Sequence, residues 1–169
     1  HGALRTGDPR VLGRALMRRT AVWRGLDAPR MEIARVELSG AEATVSGTQL
    51  GVSYELRYSL EPGLLTLELV GSRTLEVTLD GLDFFDLGLS PLFNSLPVWR
   101  DGLLDEGPAR EYVMRFVSVP DLTVTEAAQR YEPLGERRVS FSSGDFAANL
   151  VFDDEGLVEH YERLAERLR

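Results

Sequence analysis

From Thr20 onward, apolar and polar residues alternate over most of the chain. Val52, Tyr54, Leu56, Tyr58 and Leu60 are interleaved with Ser53, Glu55, Arg57 and Ser59. This is the pattern of a strand with one face on a core and the other in water. After Glu61-Pro62-Gly63, the residues Leu65, Leu67 and Leu69 keep the same period. Gly71-Ser72 then gives a tight hairpin signal, and Leu75, Val77 and Leu79 alternate with Thr74, Glu76 and Thr78. Upstream, residues 31–38 and 43–50 flank Ser39-Gly40 as a further hairpin; downstream, 110–119, 137–142, 146–152 and 157–161 read as strands. About ten strands on short turns, with hardly a crossover helix, predict a mainly β fold whose antiparallel sheet curls on itself. Residues 162–169, charged on most faces, read as a short exposed helix.

One stretch breaks the alternation. In residues 83–89, Phe85, Leu87 and Leu89 share one face, and Phe84, Asp86 and Gly88 the other. Ser90 then fits a helix N-cap and Pro91 the first helical position. Between Leu92 and Trp99 only Asn94 and Ser95 are polar, so a helix here is buried on nearly every side. Pro97 is expected to end it near Leu96 or to kink it. A curled sheet needs its concave side filled, which makes this segment the central plug.

Composition narrows the function. There is no cysteine, which removes disulfides and thiol chemistry and fits a reducing, cytoplasmic setting. A net charge of −8 opposes nucleic-acid binding. No apolar run approaches the roughly 20 residues of a membrane span. All basic residues are Arg, and seven of them fall in residues 1–30 against only Asp8 and Asp27. Residues 1–19 therefore read as a basic N-terminal extension, either helical or added by cloning, ahead of a single domain at 20–169. Asp8-Pro9 makes a helix start, with Val11, Leu12, Ala15 and Leu16 on one face.

Enzyme and cofactor signatures are missing: no phosphate-binding Gly loop, no G-x-S-x-G, no paired His at ligand spacing. His160 has no evident triad partners. Asp83, Asp86, Asp101 and Asp105 could serve as acid and base in glycoside chemistry if they converged. Asp86 and Arg100 lie in apolar runs where an unpaired charge is costly. They either bridge each other and pin the plug, or face a cavity with Asn94 and hold a ligand head group. Trp23, Tyr54, Tyr58, Trp99 and Tyr131, with Tyr112 and Tyr161, are the aromatic residues that could line such a cavity.

The run D-x-x-D-L-x-x-S-P-x-x-N-S-L-P-V-x-R at 83–100 resembles the signature of a bacterial family called putative glycolipid-binding. Three further stretches agree in order: Trp23-Arg24-Gly25-Leu26-Asp27; Val119-Pro120-Asp121-Leu122 with Gln129-Arg130-Tyr131; and the run from Asp154 to Tyr161. Trp99 stands where the family more often has a basic residue, and residues 1–20 have no counterpart. The resemblance implies a spiral β-roll around one helix, often dimeric, that carries a lipid. The expectation is a non-catalytic lipid or glycolipid binder without cofactor or metal, acting as a homodimer. Its ligand residues would be Trp23, Tyr54, Tyr58, Asp86, Asn94, Trp99, Arg100 and Tyr131. A hydrolase or transferase using the carboxylates, and a homodimer with no ligand, are the alternatives.

Overall fold

The computed structural model describes residues 17–169. The helix expected around Asp8-Pro9 lies outside them. Thirteen strands form a single sheet in the order β6-β5-β4-β3-β2-β1-β13-β12-β11-β10-β9-β8-β7. They are β1 (Arg18–Gly25), β2 (Met31–Glu37), β3 (Glu42–Gln49), β4 (Val52–Ser59), β5 (Leu64–Leu69), β6 (Thr74–Thr78) and β7 (Phe84–Leu87), followed by β8 (Arg110–Val117), β9 (Val124–Gly135), β10 (Arg138–Ser143), β11 (Phe146–Phe152), β12 (Val158–Tyr161) and β13 (Ala165–Arg167). Every pairing is antiparallel except β7 with β8. The sheet curls without closing: β6 and β7 are its two ends.

The period-two stretches fold as their alternation requires. In β4, Tyr54, Leu56 and Tyr58 are buried and the residues between them are exposed. Two segments differ from the expectation. Residues 165–167 are a strand, not a helix: a left-handed turn at Arg163 reverses the chain, and β13 fills the gap between β1 and β12. Its charges find partners, Arg167 on Asp153 of the turn after β11 at 2.5 Å and Glu166 across the strand pair on Arg24 at 2.8 Å, while Ala165 is buried. The long strand β9 also carries too many polar residues, and Pro133, to read as a strand. Pro133 is accommodated beside a register shift opposite Arg138 and Val139.

The buried helical segment is a 3-10 turn (Pro91–Asn94) running into α1 (Ser95–Asp101). Residues 91–98 are all buried. Pro97 neither ends nor kinks the helix, because it falls in the first turn of α1, where the N–H groups lack intrahelical partners. Gly102, in the left-handed conformation, terminates α1. Leu92, Phe93, Leu96 and Val98 face the sheet from inside, each contributing about 1.5–3 kcal/mol of apolar burial.

Candidate functional site

A cavity of about 350 Å³ lies where the end of β7 and the following turn meet the inner face of β8–β12. Strand alternation explains its walls. Phe116 follows Tyr112 and Met114 on the inner face of β8, Gln129 precedes Tyr131 on β9, and Phe141 follows Val139 on β10. Phe146 of β11 is 43 % exposed and stands at the opening. Asp86 of β7, with Gly88, Leu89 and Ser90 after it, forms the opposite wall, and Asn94 reaches in from the 3-10 turn.

The polar groups are chained. Gln129 donates from Nε2 to Asp86 Oδ2 at 2.6 Å; Tyr131 donates its hydroxyl to Gln129 Oε1 at 3.2 Å; Asn94 Nδ2 donates to the Tyr131 oxygen at 3.0 Å. Desolvation pushes the Asp86 carboxyl up to about 7, helped by the charge of Glu32 and opposed by the hydrogen bonds from Gln129 and the Leu87 N–H.

Glu32 is a second buried carboxyl, behind the wall. Desolvation also raises it to about 7, against hydrogen bonds from Ser90 and Tyr54, the N–H of Leu92, and the charge of Arg30. Ser90 makes no cap of its own; its hydroxyl donates to Glu32 Oε1 at 2.7 Å, and Glu32 takes the Leu92 N–H in its place. A carboxylate from β2 thus caps the 3-10 turn and fixes the cavity wall. Arg30 clamps the same region, donating to the carbonyls of Leu89 at 3.0 Å and Leu164 at 2.7 Å and pairing with Asp27.

Of the eight residues expected at the site, Asp86 and Asn94 line this cavity and Tyr131 lies directly behind it, bonded to Asn94. The other five are elsewhere. Trp23 is buried with its Nε1–H on the Val158 carbonyl at 2.8 Å; Tyr54 donates to Glu32 at 2.8 Å; Tyr58 packs on Phe85 and Phe93 in the core. Trp99 donates to the Glu155 carbonyl at 2.7 Å. Arg100 does not reach Asp86: it is half exposed, pairs with Asp83 at 3.2 Å, and lies over the rings of Phe84 and Tyr112 at 4.5 and 5.2 Å. Asp83 also accepts from the Val113 N–H at 2.8 Å, and Asp101 accepts from the Tyr112 hydroxyl at 2.6 Å. The acidic residues of 83–105 therefore do not converge on the cavity. His160 is exposed, beside Glu166 across the strand pair. Among the described residues, no group of three or more side chains is arranged to hold a metal.

Glu32, Gln129, Phe116, Phe141 and Phe146 were not anticipated. Glu32 had a signal, since it falls in phase with Ala34 and Val36 on the buried face of β2. Gln129 likewise falls in phase with Tyr131.

A family model described as putative glycolipid-binding matches residues 69–167. A DUF1089 family protein from Pseudomonas aeruginosa, known from its crystal structure, superimposes with a TM-score of 0.66, covering 99 % of this chain and 100 % of its own at 22 % identity. That likeness shows the fold. No curated protein matches the chain.

Proposed function

The chain belongs to the family described as putative glycolipid-binding, and from that premise we propose that it binds an acyl-bearing lipid with a polar head, without catalysis, in the cavity above Asp86. The observation that carries this is the cavity's two-sided character: a wall of Phe116, Val119, Phe141, Phe146 and Leu164 faces a chain of buried hydrogen-bonding groups at Asp86, Gln129 and Asn94. Its size, about 350 Å³, falls at the low end of the roughly 300–1,000 Å³ of ligand pockets, enough for part of a lipid. Every lining residue except Gln49 falls within the stretch that the family model matches, which supports this reading. Native mass spectrometry of protein purified without detergent is the test. A lipid mass in one-to-one complex is the expected result. Bare protein that also fails to take up an added glycolipid contradicts the proposal.

A homodimer is part of the same proposal. Support comes from β6, an end strand that among the described residues pairs only with β5 and is mostly exposed, an edge on which a partner strand could pair. Sedimentation at micromolar concentration should give twice the chain mass; a monomer contradicts it.

A further inference from the structure

We propose that the polar end of the ligand carries a protonated amine, held by the Asp86 carboxylate beside the aromatic wall of the cavity. This rests on the cavity being the lipid site, and it goes further by fixing the charge of the head group.

The first ground is the sign of the charge. Among the described residues, Asp86 is the sole charged side chain lining the cavity, and no Arg or His lines it. A phosphate or carboxylate head group would enter a poorly hydrated space holding a carboxylate and no counter-charge, where like charges repel strongly. Glu32 adds a second buried carboxylate nearby, whose charge acts on Asp86. Arg30, which clamps this wall, is already committed to Asp27 and to the carbonyls of Leu89 and Leu164.

The second ground is that Asp86 is under-compensated. Its side chain is paired only with neutral donors, the Gln129 amide and the Leu87 N–H, and among the described residues no cation contributes to its ionisation. A buried carboxylate in this state gains most from a ligand that brings a positive charge and several N–H donors. The cost of ionising it, set mainly by desolvation, is what such a ligand would offset.

The third ground is the aromatic wall. Phe141, Phe146 and Tyr161 form a triangle with centroids 6.1–6.3 Å apart, all on the cavity. Rings grouped around a cationic head are a recurrent way of holding ammonium ligands. The Tyr161 hydroxyl has no hydrogen-bond partner among the described residues, and it is close enough to Asp86 for that charge to act on it.

The test compares three probes with one tail: octylammonium, octyl glucoside and octanoate, titrated calorimetrically below their micelle concentrations at pH 7. Octylammonium should bind at least tenfold more tightly than either of the others. Asp86→Asn should remove that advantage, bringing octylammonium to within about threefold of octyl glucoside measured on the same variant. Because the wild-type ranking needs no variant, a failure of Asp86→Asn to fold would not spoil the test. Octyl glucoside bound as tightly as octylammonium overturns the inference and leaves the lipid site standing. If none of the three binds, both readings fall. An octylammonium advantage that survives Asp86→Asn reflects attraction to the net charge of −8 and also overturns it.

Discussion

Asp86 and Glu32 couple the cavity to pH. Both carboxyls are raised to about 7 by burial, whereas in the unfolded chain they ionise near pH 4. Between those values the folded state binds more protons than the unfolded one, so these groups make stability fall as pH rises. Their contribution is intact below about pH 4 and fully lost above about pH 7. Asp86→Asn should therefore gain stability relative to wild type on going from pH 5 to pH 8, by on the order of 3 kcal/mol. Urea denaturation at the two pH values checks this; a constant difference would contradict it. Glu32→Gln should gain in the same direction, and its effect should overlap with that of Asp86→Asn because the Glu32 charge helps to raise Asp86.

Arg100 belongs at the same scale. A bridge to Asp86 would make the two residues strongly coupled, but Arg100 sits on Asp83 at the surface. Arg100→Met should cost about 1 kcal/mol or less, part of it from lost packing over Phe84 and Tyr112. A double-mutant cycle with Asp86→Asn should be additive within roughly 0.5 kcal/mol. Coupling well above that would mean the two charges meet after all.

Among the elements, the helical plug is held by contacts that leave no room for a Cβ. Trp99 lies under two glycines with positive φ: a Cβ on Gly156 would come 2.7 Å from Trp99 Nε1, and one on Gly40 would come 2.9 Å from its ring. Gly156→Ala should thus cost about 2 kcal/mol or more, from backbone strain together with displacement of the indole from the Glu155 carbonyl. A loss under about 0.5 kcal/mol in chemical denaturation would show that the plug is not fixed at this point. The segment itself was legible, because an apolar run opening on Ser90-Pro91 has little alternative to burial. Its continuation through Pro97 was not, since that depends on the 3-10 turn shifting the start of α1 to Ser95. The clear alternation of β4 and β5 identified those strands, whereas β9 and β13 owe their pairing to neighbours distant in sequence.

For the whole molecule, periodicity says which face of a strand is inward but not what lies opposite. Trp23, Tyr54 and Tyr58 are all inward residues of the curled sheet, as expected, yet Tyr58 meets Phe93 of the plug and Tyr54 meets Glu32. Phe141 is equally inward, but it faces the part of the interior that the short plug leaves unfilled. The curled sheet was readable from the sequence, while the cavity depends on how far the plug extends inside it. No helix among the described residues is long and apolar enough to cross a membrane.

The central claim, that this unfilled space is the lipid site, is tested most directly by NMR on protein with labelled phenylalanine rings during titration with octyl glucoside and octylammonium. The expected result is saturable shifts of Phe116, Phe141 and Phe146, with the fully buried Phe85 and Phe152 unmoved. Saturable shifts confined to rings outside the cavity, or no shifts with either probe, would contradict the account.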